Sequence, residues 1–321
     1  MSESHRFSDQ THGVGVAAMF PDQVKQKTFL LAGLKKGDLA ATTADALAYG
    51  GAGKIIFIGL SQRELQPVID HLNRKHRNVK MLFVPTDTAS LSSVRDAANT
   101  IKKMGVSIDG FVGFPTVMAV PWELTEDGNE SHFQQNYLAY FLLIRLLLDC
   151  MSPTSRVVLV TASLRTEASA PTWEDVGFAG GETYHCLDGF AQSMLANIQF
   201  VKSLAKIGKD RSISAFSANP GNTKANVQTY VAWEEISSWL QRRKEAGEDL
   251  PILLQQAPKS LAQGSATVLR GLLDPDLEES SGAFLDHCQA VTLPYLDFPA
   301  GEESAEALWR RSQELVEAFL G

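Results

Sequence analysis

The segment just before a long predicted helix is crowded with side chains that can transfer protons. These are Asp175, Glu182, Tyr184, His185 and Asp188. His185 is the best single candidate for proton transfer near neutral pH, because imidazole titrates in that range. Each also has a more ordinary interpretation: His185 as a solvated turn residue, Asp188 as a helix N-cap and Tyr184 as a packed ring. His132 and Lys224 lie nearer the ends of neighbouring elements.

An apolar stripe begins directly after this segment. Cys186, Phe190 and Met194 are spaced at i, i+4 and i+8, so on a helix they share one face. A thiol, a ring and a thioether on one face indicate the wall of an apolar substrate pocket, to which we add Phe114. The tryptophans that are candidates for lining the same pocket are Trp173, Trp233 and Trp239.

Composition excludes several classes of function. A net charge of −8 and a pI near 5.4 argue against nucleic acid, whose phosphates require a clustered basic surface. No apolar run reaches the roughly 20 residues of a membrane span. Residues 1–27 lack the basic start and apolar core of a secretory signal. We therefore expect a cytoplasmic protein whose partner is a small-molecule substrate, not nucleic acid or a membrane.

The cysteines and histidines are scattered along the chain. Cys150, Cys186 and Cys288 form neither a disulfide framework nor a CxxC pair, as is usual for reduced thiols inside cells. His185 is adjacent to Cys186 in sequence, and His287 to Cys288, instead of one helical turn apart. The spacing therefore predicts no metal site on any one element.

Short apolar runs alternate with helix-length segments over most of the chain. The runs that read as strands buried on both faces are 28–34, 54–60, 80–85, 110–114, 156–161 and 212–218. Helical segments between them include 38–48, 63–74, 90–104, 131–150 and 187–206. This alternation predicts an α/β fold, a Rossmann-like doubly wound parallel sheet in a single domain.

The domain organisation follows from the position of these elements. We predict an N-terminal arm over residues 1–27 and the Rossmann-like domain over residues 28–321. Residues 222–261 form an insertion before the last helices. Ligands of such folds bind beyond the carboxyl ends of the strands, so we expect this insertion to be a helical lid over the substrate.

The run from Phe190 to Asn197 resembles a known signature, the Tyr-x-x-Ser-Lys-x-Ala-Asn of the short-chain dehydrogenase/reductase family. In that family the Tyr donates a proton and the Lys lowers its pKa and holds the cofactor ribose. Here Phe190 stands for the Tyr and Met194 for the Lys. A rival alignment places Tyr184 on the catalytic Tyr, but Asp188 then replaces the Lys. Further matches to its retinol-dehydrogenase-like branch are Asp127-Gly128 with Asn136 and Phe141, Pro220-Gly221, Ser281-Gly282 and Leu308-Trp309.

The resemblance implies a dinucleotide site that is only partly kept. The family's turn Thr-Gly-x-x-x-Gly-x-Gly, which lets the backbone reach the pyrophosphate, reads from Ala32 to Leu39 here. Gly33 and Gly37 survive, Leu39 replaces the third glycine, and Asp38 brings a negative charge. Lys35 and Lys36 offset that charge in part, and Asp38 has its own interpretation as an N-cap. Other cofactor positions that match are Asp87, Pro220 and Gly221, all of which we treat as vestigial.

The remaining family positions are mixed. The family's Asn-Ala-Gly reads Phe114-Pro115-Thr116, which changes the backbone next to the expected nicotinamide ribose. The family's basic residue that selects the cofactor aligns with Leu60, although Arg63 is close by. The family's catalytic Ser aligns with Ala162, and Ser163 is one residue away. Asn136, which supports a water relay in the family, is kept.

Three hypotheses follow from these residues. The leading one is a cofactor-independent isomerase, cyclase or lyase for an apolar natural-product intermediate, with His185, Tyr184, Asp188, Asn136 and Ser163 as candidate catalytic residues. The alternative is an NADP(H)-dependent reductase with an unusual proton donor, such as Tyr184 or a water on Asn136. The third is a non-catalytic relative that binds a partner. In the family the helix carrying Phe190 packs against a symmetry mate, so the resemblance also implies a homodimer or homotetramer.

Overall fold

The computed structural model describes seven parts of the chain. These are residues 6–35, 38–162, 173–223, 233–245, 247, 257–291 and 301–320. Of the predicted site residues, Gly37, Ser163 and Lys224 lie outside them, as does the side chain of Trp233.

One eight-stranded sheet forms the centre of the molecule, in the order β3-β2-β1-β4-β5-β6-β7-β8. Its strands are β1 Thr28–Ala32, β2 Lys54–Gly59, β3 Lys80–Pro85, β4 Ile108–Gly113, β5 Met151–Val160, β6 Ser214–Asn219, β7 Phe284–Asp286 and β8 Gln289–Val291. Every neighbouring pair is parallel except β7 with β8. The order reverses between β1 and β4, which confirms the predicted doubly wound parallel sheet.

Helices cover both faces of this sheet. They are α1 Gly13–Met19, α2 Pro21–Val24, α3 Leu39–Tyr49, α4 Gln62–Lys75, α5 Leu91–Lys103, α6 Ser131–Phe133, α7 Ala139–Leu147, α8 Cys186–Gly208, α9 Trp233–Glu245, α10 Leu261–Leu273 and α11 Gly301–Leu320. A π-helical turn, Gln134–Leu138, joins α6 to α7. Short 3-10 turns are Leu148–Cys150, Ala179–Gly181, Lys209–Arg211 and Pro275–Ser280.

Two apolar cores lie on opposite faces of the sheet. On one face, α1, α3, α4 and α10 bury side chains such as Val16, Leu47 and Val268. On the other face, α5, α7, α8 and α11 bury side chains such as Phe141 and Phe200. The strands supply apolar residues to both cores, which explains why their sequences are continuously apolar instead of alternating.

The described part of the predicted N-terminal arm belongs to the core. Val16 and Ala17 of α1 are fully buried against α3 and α10. A Cβ on Gly13 would collide with the Ser265 side chain, so the glycine permits the close approach of α1 to α10. Gln289 also donates a hydrogen bond to the carbonyl of Phe7.

The predicted lid is described in part. Helix α9 is the described helix of the 222–261 insertion, and it packs on the N-terminal part of α8. Trp239 of α9 is 2% exposed and shares an apolar cluster with Met118, Phe190 and Met194. No helix within the described ranges is both long and apolar enough to cross a membrane.

Candidate active site

A cavity lies beyond the carboxyl ends of β1, β4, β5 and β6. Its volume is about 90 Å³, and most of its wall is apolar, supplied by residues such as Leu39, Phe114, Met118 and Phe190. The polar side chains at its wall are those of Lys35, Asp38, Thr161, Asn219 and Thr223. This position is the usual ligand site of a doubly wound sheet, where the strand order reverses.

Asp38 places a carboxylate at the N-terminus of α3. Its Oδ1 accepts a hydrogen bond from the Ala41 amide at 3.0 Å, and its Oδ2 accepts one from the Lys35 amide at 2.6 Å. Helix N-termini attract anions through their free amides and the helix dipole. Burial raises the pKa of Asp38 to about 6, against the opposing effect of these hydrogen bonds and of the Lys35 charge.

Lys35 links the turn after β1 to the loop after β4. Its ammonium donates a hydrogen bond to the carbonyl of Thr116. Burial lowers the pKa of Lys35, while the Asp38 charge opposes that shift. The cavity therefore has one charged end, made by a carboxylate and an ammonium, and an otherwise apolar wall. From the sequence, both residues were considered for their effect on a bound phosphate, and the N-cap interpretation of Asp38 is confirmed.

The wall formed by α8 is apolar. Phe190 is 3% exposed and lines the cavity beside Ala162, and Met194 is fully buried behind it. The backbone carbonyl of Met194 accepts a hydrogen bond from Thr161. Phe190 and Ala162 cannot donate a proton to a ligand, so this wall can shape an apolar ligand but cannot protonate it.

Asn136 is buried within the π turn and braces the loop after β4. Its Oδ1 accepts hydrogen bonds from the amides of Thr116 and Val117 at 2.9 and 3.1 Å. Its Nδ2 donates to the Val117 carbonyl and to Ser193 Oγ at 2.9 and 3.1 Å. Two donors and two acceptors are the full capacity of an amide side chain. The side chain of Asn136 therefore positions the loop after β4, and its part in a water relay stays a prediction.

Tyr184 belongs to a closed hydrogen-bond network behind Phe190. Its hydroxyl donates to the Val120 carbonyl at 2.8 Å and lies 3.0 Å from His132 Nδ1. His132 Nδ1 also lies 3.0 Å from Glu130 Oε1. Burial, followed by the Glu130 charge, raises the pKa of Tyr184. The phenol is thus a poor acid, and it does not line the cavity.

His185 and Asp188 face α9 instead of the cavity. Asp188 accepts hydrogen bonds from Trp239 Nε1 at 2.8 Å and from Arg242 at 3.2 Å. His185 is the N-cap of α8, where its Nδ1 accepts from the Leu187 amide at 3.3 Å. The N-cap interpretation therefore applies to His185 and not to Asp188. None of the five proton-transfer candidates between Asp175 and Asp188 lines the cavity.

Other predicted site residues are divided between the cavity and the core. Phe114, Pro220 and Gly221 line the cavity. Trp173 does not, because it is buried against Phe133 and donates to Gln199 and Ser304 under α11. Cys186 lies in the apolar cluster under α9.

The residues expected to bind a dinucleotide keep part of the family's geometry. Gly33 has a left-handed φ of +94°, and a Cβ there would collide with the Phe114 carbonyl, so the tight turn after β1 is kept. Asp87 accepts a hydrogen bond from the Ala89 amide at the end of β3. However, the Asp38 carboxylate occupies the N-terminus of α3, where a pyrophosphate would bind. A pyrophosphate bound there would meet the Asp38 carboxylate, with the Lys35 ammonium as the nearby opposite charge.

A family model and a similar protein both relate the chain to one family. Residues 27–175 match the family model described as short chain dehydrogenase. The chain is 31% identical over 253 residues to oxidoreductase fscI of Fusarium equiseti, covering 70% of this chain and 98% of that protein.

Solved structures agree on the fold. A putative uncharacterized protein from Mycobacterium paratuberculosis superposes with a TM-score of 0.69 at 24% identity, covering 94% of this chain and 97% of that one. A short chain dehydrogenase from Burkholderia cenocepacia, determined in complex with NADP, gives a TM-score of 0.60 at 18% identity, covering 82% and 96%.

Proposed function

The chain belongs to the short-chain dehydrogenase family, and we propose that it uses this oxidoreductase fold for a redox-neutral reaction. The reaction is an isomerisation, cyclisation or elimination of an apolar small molecule bound in the cavity beside Asp38. The observation that carries this proposal is the Asp38 carboxylate at the N-terminus of α3. Family members typically bind NAD(P), and here the chain's own anion stands at the phosphate position.

Asp38 has the properties of a general base. Its pKa, raised to about 6 by burial, is close to neutral pH, where a base is most effective. The Asp38 carboxylate accepts hydrogen bonds from the Ala41 and Lys35 amides, and the Ala40 amide also interacts with it. A carboxylate offers about four lone-pair sites, so acceptor capacity remains for a substrate proton. We propose that Asp38 removes a proton from a carbon next to a carbonyl group. It returns this proton elsewhere on the substrate in an isomerisation or cyclisation, and to the leaving group in an elimination.

Lys35 complements this role. Removing such a proton leaves negative charge on the carbonyl oxygen, which a fixed cation in a water-poor site stabilises. The Lys35 ammonium is held beside the cavity by the Thr116 carbonyl. The apolar wall around Phe190 then selects an apolar substrate by burial of its surface.

Substrate entry requires a movement of α9. A cavity of about 90 Å³ holds only a few heavy atoms, since one water takes roughly 30 Å³. Trp239 packs on Phe190, which lines the cavity. We propose that α9 is the lid that the sequence predicts, and that its displacement enlarges the cavity.

Solvent exchange tests the reaction class. A panel of apolar ketones and 1,3-dicarbonyl compounds is incubated in deuterated water with the protein and without any cofactor. We expect deuterium incorporation or rearrangement for some compounds, lost in Asp38→Asn and kept in Asp45→Asn, a carboxylate outside the cavity. Turnover that occurs only with NAD(P)H would remove this proposal.

The NADP(H)-dependent reductase is the second candidate. The left-handed Gly33 and the cavity position of Pro220 and Gly221 favour it, as does the naming of the relative fscI as an oxidoreductase. Against it stand Asp38 at the phosphate position and Phe190 where the resemblance expects a proton donor. Reduction of a carbonyl needs that proton as well as a hydride.

A further inference from the structure

Three potential metal ligands meet where α9 crosses the N-terminus of α8. His185 and Cys186 are adjacent at the start of α8, and Glu235 lies on α9, 49 residues beyond Cys186. His185 Nε2 is 3.4 Å from Glu235 Oε2, and Cys186 Sγ is 3.8 Å from the same oxygen. All three ligand atoms lie within 4.8 Å of one another. Sequence spacing could not identify this group because its third member comes from another helix.

The separations fit a tetrahedral metal ion. Zinc binds His, Cys and carboxylate ligands at about 2.0 to 2.3 Å, which places the donors roughly 3.3 to 3.7 Å apart. The two measured distances to Glu235 Oε2 lie within a few tenths of an ångström of that range. The third pair, His185 with Cys186, lies within 4.8 Å, so a side-chain rotation that shortens this separation would complete the geometry.

The state of each donor is compatible with a metal. His185 Nε2 is buried and has no hydrogen-bond partner among the described residues. When a metal binds Nε2 of a neutral imidazole, the ring proton is on Nδ1. Nδ1 can then no longer accept the long hydrogen bond from the Leu187 amide, so the metal bond replaces that contact.

We propose that His185, Cys186 and Glu235 bind a zinc ion that fastens α9 to α8. The combination of imidazole, thiolate and carboxylate is typical of zinc, and three protein ligands leave a fourth position for water. On binding, the Cys186 thiol loses its proton to solvent and forms the sulfur–zinc bond, with no change in oxidation state. None of the three ligands takes part in the reaction proposed above.

The metal would add to contacts that already hold α9. Asp188 accepts from Trp239 and Arg242 a short distance along the same interface. Glu235 is more than half exposed, so without a metal its ion pair with His185 is weak. Zinc therefore converts a weak contact into a strong one at the end of the helix that covers the cavity.

Metal titration of the untagged, full-length protein tests this site. We expect one Zn²⁺ per chain, and Co²⁺ in its place should give a thiolate-to-cobalt charge-transfer absorption. Cys186→Ser and Glu235→Gln should each weaken binding at least tenfold and should change that spectrum. Cys150→Ser and Glu234→Gln are the matched controls, because Cys150 is a partly exposed thiol elsewhere and Glu234 is exposed next to Glu235. Neither control should alter binding.

Hydrogen exchange of α9 provides the second readout. Zinc should slow amide exchange over residues 234–245 of the wild-type protein and leave it unchanged in Cys186→Ser. The absence of zinc binding, binding that neither ligand variant weakens, or binding without any slowing in α9 would each overturn the proposal.

Discussion

Replacing Asp38 by Asn tests the physical state of the carboxyl group on which the proposed chemistry depends. Asn keeps the size of the side chain and one oxygen that can accept the helix-capping hydrogen bond, but it has no titratable proton. Any pH-dependent difference between the two proteins then reports on Asp38 alone.

The magnitude follows from the pKa of Asp38. The pKa rises from 3.8 in the unfolded chain to about 6 in the folded one, mainly through burial. That shift of roughly two units corresponds to about 3 kcal/mol. Because the folded-state pKa is raised, the folded protein is favoured in full below pH 3.8, and this advantage is lost as the pH rises through 6.

Urea unfolding, followed by circular dichroism between pH 4 and 7.5, measures this effect. The free energy of unfolding of Asp38→Asn, minus that of the wild type, should increase by about 2 kcal/mol from pH 4 to pH 7, since part of the effect already lies below pH 4. Asp45→Asn is the control, because its difference in unfolding free energy from the wild type should change with pH in the opposite direction. Although burial alone would raise the pKa of Asp45, hydrogen bonds from Lys75 and His76 lower it overall. A difference that does not vary with pH for Asp38→Asn would refute the assignment of a raised pKa, and with it the proposed base.

Three further predictions concern the surroundings of the cavity. Trp239→Ala should speed amide exchange over residues 234–245, since Trp239 packs on Phe190 and bonds Asp188; unchanged exchange would mean that other contacts hold α9. The double variant Phe190→Tyr, Met194→Lys should bind NADPH as weakly in calorimetry as the wild type, because Asp38 still occupies the N-terminus of α3. Micromolar binding by this variant would show that the side chains of α8, and not Asp38, prevent NADPH binding. Light scattering after gel filtration should show a monomer, unlike the homodimer or homotetramer that the resemblance implies, because α11 covers α7 and α8; a stable dimer would show that another face associates.

Strand and helix positions were largely predictable from sequence. The predicted run 80–85 coincides with β3, and the helix predicted at 187–206 is α8, observed at Cys186–Gly208. Continuous apolar runs carry this information because strands covered on both faces cannot alternate polar and apolar residues. Strands β7 and β8 were missed, since three-residue strands have no periodicity to detect.

Residue spacing predicted the site geometry only where a single element supplies the residues. The stripe of Cys186, Phe190 and Met194 follows from helical spacing, and all three residues share one buried cluster. The direction in which His185 and Asp188 point depends on α9, which is distant in sequence. The raised pKa of Asp38 arises from burial created by the whole fold, so no local pattern could predict it.

Calorimetric titration of the wild-type protein with NADPH, NADP⁺, NADH and NAD⁺ tests the central claim most directly. The carboxylate of Asp38 at the N-terminus of α3 predicts no binding of any of the four at millimolar concentration. Asp38→Gly is the paired variant, because it removes the competing anion, and glycine is a tolerated N-cap residue. We expect this variant to gain affinity. Micromolar binding of any dinucleotide to the wild-type protein would contradict the account and would favour the reductase.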